Sequence, residues 1–389
     1  MINCVKIFKT LYPCQEQLSL SQASIYLDHA ATSPITDDLM NQYINYLKEY
    51  SYNSNTVYGP GLKTKQQLEK VRQNFASILK VDKNDLIFTS GGTESNNMAI
   101  HCITKSLKSN RVIWYSTTAH PSLLNPVLNL DERWEKIALP INRAGTIDYD
   151  SLENLNTPDV IVLEWVNSET GFIQDISKLQ NFILEKKIDC SLIVDGVQGM
   201  SKLDMIKPNK VTAFTFSGHK CGSPVGTGCL YLKNIKKYSA MLHGGGQENG
   251  MRSGTNSVPL IMSFWDAFDK NHKALSNKKQ LDWSISKPSA LRHESNQYSP
   301  YIYILDTSPV EGEVLLHHLE EKGIFVGLGS ACSASKKKVS NTHKAIGLTE
   351  QQSRCTIRIS FNPFTSQNTL HKAQQTITEV WESLNRFFS

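Results

Sequence analysis

The most regular pattern in this chain is an alternation of short apolar runs with helix-like amphipathic segments between about residues 83 and 232. Several runs are almost wholly apolar, as expected for strands covered on both faces of a parallel sheet. The predicted strands are residues 85–90, 111–115, 160–166, 191–195, 213–216 and 228–232. Polar or glycine-rich residues follow most of them, and open α/β sheets bind ligands at such strand ends. The pattern predicts an α/β fold with a mostly parallel sheet and a site at its carboxyl edge.

A second, smaller α/β unit is predicted toward the C-terminus. A lysine-rich polar stretch over residues 266–290 separates it from the first sheet. Its predicted elements are a strand at 301–305, a helix at 311–322, a strand near Ile324 and an amphipathic helix at about 370–388. We therefore expect an N-terminal arm over residues 1–24, a large domain over 25–262 and a small C-terminal domain over 263–389.

Composition narrows the class of protein. The chain has 389 residues, 40% of them hydrophobic and 20% charged, which excludes a disordered protein. No run approaches the roughly 18 apolar residues that span a bilayer. The net charge of +5 is mild for this length and does not predict a nucleic-acid binder. The N-terminal residues lack a secretory signal pattern, so we expect a cytoplasmic protein. The eight cysteines show no C-x-x-C spacing, which favours reduced thiols and no metal site.

The first candidate for chemistry is the segment TSGGTESNN at residues 89–97, which follows a predicted strand and opens a predicted helix. Free N–H groups and the helix dipole at such a terminus favour a bound phosphate. The alternative is an ordinary capped helix after a turn. The segment matches neither the Walker loop nor the G-x-G-x-x-G dinucleotide fingerprint, which disfavours a nicotinamide dehydrogenase.

Two further candidates also stand at strand ends. Asp195 ends an apolar strand, where its carboxylate could pair with a cationic ring nitrogen or a metal, or simply cap a helix. Lys220, in the segment SGHK, follows another strand and could form a Schiff base if desolvated. A solvated loop lysine is the alternative. Together, a phosphate cradle, an acid for a pyridinium nitrogen and a Schiff-base lysine are what pyridoxal 5′-phosphate requires, and here they occur in chain order.

The sequence resembles the cysteine desulfurases, which belong to the class V aminotransferase group of fold-type I pyridoxal-phosphate enzymes. The resemblance extends from residues 25–32 (IYLDHAAT) to 357–360 (IRIS). Its most specific segments are TSGGTESN at 89–96, SGHK at 217–220, HGGGQE at 243–248, MRSGT at 251–255 and GSAC at 329–332. It implies a mostly parallel, seven-stranded sheet in the large domain and a smaller α/β C-terminal domain.

The resemblance also implies how the cofactor would be held. Lys220 would bind it covalently, His120 would stack on the ring and shuttle protons, and Asp195 would keep the ring nitrogen protonated. The other implied contacts are Gly92, Thr93, Ser217 and His219 at the phosphate, Gln198 and Ser168 at the phenolic oxygen, and Thr255 at the phosphate of a neighbouring subunit. The last contact implies a homodimer.

For the substrate, the resemblance implies that Asn53 and Arg358 grip a carboxylate, which suits the planar guanidinium. Cys332 matches the catalytic cysteine of the family, within a run of small residues; the alternative is a structural thiol. The implied reaction removes sulfur from L-cysteine, giving L-alanine and a Cys332 persulfide. An acceptor protein, such as an iron–sulfur scaffold, would then receive the sulfur.

The sequence departs from the family pattern at several positions. Ser168 stands where the family usually has a second asparagine, Tyr58 replaces a histidine, and the 264–300 stretch is shorter than usual. Lysines 336–338 follow Cys332 and could steer an acidic acceptor or simply be solvated. The alternatives are a selenocysteine lyase or another class V enzyme, and a non-catalytic scaffold that retains the fold. The presence of Lys220 and Cys332 argues against the scaffold.

Overall fold

The computed structural model describes residues 24–108, 111–200, 202–204, 206, 211–276, 281, 283–292, 298–329 and 339–388. The predictions for residues 1–23, for Cys332 and for lysines 336–338 therefore lie outside the described residues. Strands β1 to β12 are Ile25–Leu27, Leu86–Thr89, Arg111–Tyr115, Trp134–Ala138, Val160–Glu164, Ser191–Asp195, Ala213–Ser217, Gly228–Leu232, Ser289–Ala290, Ile302–Asp306, Ile324–Leu328 and Thr356–Ser360. The α-helices are Asp37–Tyr50, Gly59–Leu79, Gly92–Ser106, Pro121–Leu128, Tyr149–Leu152, Ile176–Glu185, Val258–Ser276, Gly312–Glu321, Asn341–Ala345, Glu350–Arg354 and Gln367–Asn385.

The larger of two sheets has seven strands in the order β2-β8-β7-β6-β5-β3-β4. Strand β8 runs antiparallel to its neighbours β2 and β7, whereas the pairs from β7 through β4 are parallel. The predicted mostly parallel, seven-stranded sheet is confirmed. The apolar runs predicted as strands form β2, β3, β5, β6, β7 and β8 of this sheet, and β5, β7 and β8 are buried along their whole length.

One edge strand escaped the sequence pattern. Strand β4 pairs in parallel with β3 and has the sequence WEKIA, with Glu135 and Ala138 exposed. A half-exposed edge strand carries a weaker apolar signal than a strand covered on both faces. The missed strand therefore follows from its position at the sheet edge.

Aromatic packing joins the large sheet to the helices on one face. Phe75 of the helix Gly59–Leu79 is fully buried, and its ring lies 5.0 to 6.2 Å from those of Phe88, Phe216, Phe264 and Phe268. The last two belong to the helix Val258–Ser276. Burial of large rings in such offset and edge-on arrangements is a main source of core stability. This cluster fixes the position of strands whose ends carry the candidate active site.

The smaller sheet has five strands in the order β1-β11-β12-β10-β9. Its first strand, β1, comes from the start of the described chain and pairs in parallel with β11. The helix Val258–Ser276 runs across residue 262 and packs against the large-domain core. The division of the chain at residue 262 stays a prediction.

A buried ion pair locks the first strand of the large sheet to a distant turn. The Arg72 guanidinium donates two hydrogen bonds of 2.8 Å to the Glu248 carboxylate, and the backbone N–H of Phe88 donates a third. Arg72 also donates to the carbonyl of Leu86, and Asn256 donates to Glu248. The guanidinium and the carboxylate are thus both fully hydrogen-bonded. A buried ion pair is tolerated inside a protein under this condition.

Glu248→Ala is expected to lower the free energy of unfolding by about 3–5 kcal/mol, because it leaves the buried Arg72 charge uncompensated. Urea unfolding followed by tryptophan fluorescence measures the effect. The matched control, Glu350→Ala, removes an exposed carboxylate that pairs with Arg354 and should cost less than about 1 kcal/mol. Equal losses in the two variants would contradict a structural role for the buried pair.

Among the described residues, no helix is both long enough and apolar enough to cross a bilayer.

Candidate active site

A cavity of about 330 Å³ opens at the carboxyl edge of the large sheet, where the small sheet meets it. Arg358 of the small sheet and residues of the large sheet line it. The large-sheet residues meet there because parallel strands bring their ends to one edge. The predicted site residues that line the cavity are Gly92, Thr93, His120, Ser168, Asp195, Gln198, Ser217, His219, Lys220 and Arg358. The structure thus brings together most of the positions that the sequence singled out.

One end of the cavity is built to receive an anion. The helix Gly92–Ser106 begins there, after Gly91, whose φ of +154° lies in a region that favours glycine. A Cβ on Gly228 would lie 2.7 Å from the Gly91 backbone, so the turn fits only against a glycine. Opposite the helix terminus, the Ser217 hydroxyl is buried and has no hydrogen-bond partner among the described residues. Free helix N–H groups and this unpaired hydroxyl suit a phosphate.

Asp195 stands in the middle of the cavity wall at the end of β6. Its carboxylate accepts hydrogen bonds from the Asn96 amide at 2.8 Å and from the backbone N–H of Val197 at 2.9 Å. The hydroxyl of Thr215 donates to the Asn96 carbonyl oxygen, so the Asn96 amide can present only its N–H groups to Asp195. Asp195 is therefore held as an acceptor with fixed orientation, which suits a cationic ring nitrogen.

His120 lies beside this carboxylate at the start of the helix Pro121–Leu128. Its Nδ1 is 2.8 Å from the Ser122 hydroxyl, which also accepts from Asn96. Burial lowers the pKa of His120, the charge of Lys220 lowers it further, and Asp195 opposes the shift. A neutral imidazole at this point can accept a proton near neutral pH.

Lys220 lies in the tight turn Gly218–Cys221, immediately after β7. Its Nζ donates to the carbonyl oxygens of Ala30 at 2.7 Å and Ala31 at 2.6 Å. The neighbouring His219 has its Nδ1 3.2 Å from the Thr32 hydroxyl. Burial, with the charges of Lys220 and Lys202, lowers the pKa of His219 to about 4, so its ring is neutral.

Arg358 reaches the cavity from β12 of the small sheet and is 3% exposed. Its guanidinium donates to the Asp28 carboxylate at 2.6 Å and to the carbonyl of Ser168 at 3.0 Å. Its Nε is buried and has no partner among the described residues. The guanidinium is therefore oriented by Asp28 and Ser168, while its Nε makes no hydrogen bond within the described residues.

Sequence reasoning missed an acid in the cavity wall. Glu164 ends β5 and is in register with Asp195 on β6, so the two side chains share a face of the sheet. One carboxylate oxygen accepts from the Thr118 hydroxyl at 2.6 Å, and the other has no partner among the described residues. Burial raises the pKa of Glu164, against hydrogen bonds from Thr118 and Asn167. The predicted strand runs over residues 160–166 and so places Glu164 inside it, whereas β5 ends at this residue in the structure. An earlier strand end would have given Glu164 the same signal that identified Asp195.

Two predicted site residues lie away from this cavity. Asn53 is exposed and accepts a hydrogen bond from the backbone N–H of Asn55. Thr255 is exposed and lines a separate cavity of about 140 Å³ with Thr89 and Ser90. Within one chain, the structure does not bring either residue to Arg358 or Ser217.

The donor set fits pyridoxal 5′-phosphate. The unpaired Ser217 hydroxyl and the helix terminus match a phosphate, and Asp195 matches a protonated ring nitrogen. Lys220 follows β7, the strand next to β6, and lines the same cavity, so its amine would bind the aldehyde of the cofactor. Among the described residues, no cluster of His, Cys, Asp or Glu could hold a metal ion.

Comparison with known proteins agrees with this chemistry. The family model for class V aminotransferases matches residues 25–372. The cysteine desulfurase IscS of Buchnera aphidicola subsp. Baizongia pistaciae (strain Bp) is 31% identical over 384 residues, covering 93% of each chain. This chain belongs to the class V aminotransferase family.

Within that family, its curated relatives make it an enzyme of the cysteine desulfurase group. The solved structure of a NifS-like protein superposes with a TM-score of 0.82 at 23% identity, covering 92% of this chain and 99% of the other. The structure of SspA in complex with cysteine gives a TM-score of 0.75 at 25% identity, covering 88% and 99% of the two chains.

Proposed function

We propose that the protein removes sulfur from L-cysteine, using pyridoxal 5′-phosphate held in the cavity described above. The observation that carries the proposal is one cavity that combines an anion-binding helix terminus, Asp195, Lys220 and the free Nε of Arg358. These groups match a phosphate, a ring nitrogen, an aldehyde and a substrate carboxylate. The relatives named cysteine desulfurase indicate which amino acid enters.

When bound, the cofactor supplies an electron sink for a substrate amino acid. The residues of the chain would divide the remaining work. Gly92, Thr93, Ser217 and His219 hold the phosphate, Asp195 keeps the ring nitrogen protonated, and Gln198 with Ser168 contacts the phenolic oxygen. His120 and Lys220 would move protons at the substrate. The lowered pKa of His120 keeps its ring neutral, which is the form that can accept a proton.

Cys332 would take the sulfur. Its thiolate attacks the substrate sulfur, so that an S–S bond forms as the substrate Cβ–S bond breaks. The electron pair of the broken bond stays with the carbon skeleton, which gains a proton and leaves as L-alanine. The products are alanine and a Cys332 persulfide, and an acceptor protein then takes the terminal sulfur. An iron–sulfur scaffold as that acceptor, and a cytoplasmic location, stay predictions from the sequence.

The test is incubation of purified, cofactor-loaded protein with L-cysteine and a reductant, measuring sulfide and alanine together. The expected result is equal amounts of both products, with turnover that depends on added cofactor. A parallel reaction with L-selenocysteine separates a selenocysteine lyase, which would turn over the selenium substrate alone. Pyruvate and ammonia instead of alanine would contradict the proposed reaction.

Arg358→Met is expected to raise the KM for L-cysteine by about 30- to 150-fold, corresponding to about 2–3 kcal/mol of lost charge-assisted binding. The reason is that Arg358 lines the cavity and that its guanidinium is the group that would pair with a substrate carboxylate there. The control Arg354→Met changes an exposed arginine four residues away and should leave KM unchanged. An unchanged KM in the Arg358 variant would remove this residue from substrate binding.

A homodimer is part of the proposal. Thr255 is exposed and lies outside the main cavity, which suits a residue that acts on a neighbouring subunit. Met40, Ile44 and Leu47 also expose an apolar stripe on the helix Asp37–Tyr50, each about 40% exposed. Sedimentation at assay concentration tests the assembly, and a fully active monomer would contradict it.

A further inference from the structure

A second lysine lies beside the candidate active site, hidden from solvent. Lys202 is 2% exposed and follows the β6 strand that ends in Asp195. Its Nζ donates a hydrogen bond of 3.0 Å to the side-chain oxygen of Gln198. Lysine is almost never fully buried unless it is paired. Here the hydrogen-bond acceptor is the amide of Gln198, which is neutral and carries no opposite charge.

The contact fixes the orientation of the Gln198 amide. The amide nitrogen donates to the carbonyl oxygen of Ala30 at 2.8 Å, while the amide oxygen accepts from Lys202. An ammonium group can only donate and a carbonyl can only accept, so the flipped amide would lose both bonds. Gln198 lines the cavity, and its amide nitrogen retains one hydrogen for a ligand there.

The same network reaches the other lysine. The carbonyl oxygen of Ala30 accepts from Nζ of Lys220 at 2.7 Å as well as from Gln198. Lys202 and Lys220 are therefore linked through one amide and one carbonyl group. A change in the hydrogen bonding of Lys202 is transmitted to the wall of the cavity through Gln198.

The charges around Lys202 come from several elements. Burial, with the charges of Lys220 and Arg358, lowers the pKa of Lys202 to about 7, whereas Cys221 and Asp28 oppose the shift. His29 also faces Lys202, and its own pKa falls to about 3 through burial and that charge, so its ring is neutral. When Lys202 is protonated, below about pH 7, its positive charge thus acts inside a dry site, where electrostatic effects are strong.

We propose that Lys202 is a positioning residue for the cofactor: it holds the Gln198 amide so that an N–H faces the phenolic oxygen, and its charge favours the ionised form of that oxygen. The inference rests on the proposed function, because it requires pyridoxal 5′-phosphate in this cavity. Lys202, which is buried and does not act on the reacting bonds, would then control the protonation of the bound cofactor.

The test is a pH titration of the absorbance of the cofactor-loaded protein. Lys202→Met keeps the length of the side chain and removes its charge, a change that buried sites often tolerate. A nearby positive charge favours the deprotonated chromophore, so its removal should move the titration midpoint upward by about one pH unit, a ten-fold gain in proton affinity. The control Lys178→Met changes an exposed lysine over Tyr149 and should leave the midpoint unchanged.

Gln198→Leu serves as the second variant, because it removes the amide through which Lys202 acts. Its midpoint should also rise, and adding Lys202→Met to it should shift the midpoint less than Lys202→Met does alone. If Lys202→Met does not fold, an unchanged midpoint in Gln198→Leu overturns the inference. If it folds and titrates like the wild type, the inference is likewise overturned. A wild-type protein that binds no cofactor would instead contradict the proposed function itself.

Discussion

Replacing Lys220 with methionine is expected to lower kcat for L-cysteine by about 10³-fold or more, because the residue serves both as the covalent anchor of the cofactor and as a proton carrier. The structure places its Nζ at the end of β7, held by the carbonyls of Ala30 and Ala31. Methionine matches the length of the chain but has no amine. Alanine formation under saturating L-cysteine measures the loss.

Borohydride treatment adds a readout that does not depend on turnover. In the wild type, the reduced cofactor should be fixed to the peptide that contains Lys220, as seen by mass spectrometry. The Lys220→Met protein should carry no such label, although the helix terminus and Ser217 still offer a phosphate site. The control Lys236→Met, at an exposed position, should behave as the wild type. A label on another lysine, or full activity without Lys220, would contradict the assignment.

The second large effect is expected at Cys332. Cys332→Ser should lower sulfide release from L-cysteine by about 10²-fold or more, because a hydroxyl at ordinary pKa is a poor nucleophile toward sulfur. The absorbance of the bound cofactor should be unchanged, since this residue acts on the substrate sulfur and not on the ring. Sulfide release at the wild-type rate would favour a lyase that needs no enzyme thiol, as in a selenocysteine lyase.

The other cysteines supply matched controls. Burial raises the pKa of Cys102 to about 11 and that of Cys190 to about 12, so both stay protonated and unreactive at neutral pH. Cys190→Ser should therefore retain sulfide release. Loss of activity in this control as well as in Cys332→Ser would indicate a general effect of thiol removal and would weaken the case for Cys332.

Much of the site could be predicted because the signals are local. Asp195 and Lys220 each follow a buried strand, and strand direction alone brings such residues to one edge of the sheet. Arg358 could not be placed in this way, since it belongs to the other sheet, and it was identified by family resemblance. The contacts that orient these groups, such as Asn96 with Asp195, depend on packing between elements that no local pattern encodes.

The burial of charged side chains was the property that the sequence predicted least well. A lysine seven residues after a strand end is expected to be solvated, yet Lys202 is enclosed by tertiary packing. Glu164 lies within the strand predicted at residues 160–166, and only the register with Asp195 places it in the cavity wall. The pairing of β1 with β11 joins residues 25–27 to residues 324–326, and sequence periodicity carries no information on partners so far apart in the chain.

That pairing sets an order of events during synthesis. Strand β1 and the Ala30 and Ala31 carbonyls leave the ribosome well before β11, and the strands of the large sheet lie between them in the chain. Because closing so long a loop is slow, the large sheet can form first and the small sheet last. The carbonyls that hold Lys220 then reach their place only after β11 has been made and has paired with β1, so the small sheet completes the surroundings of a lysine that belongs to the large one.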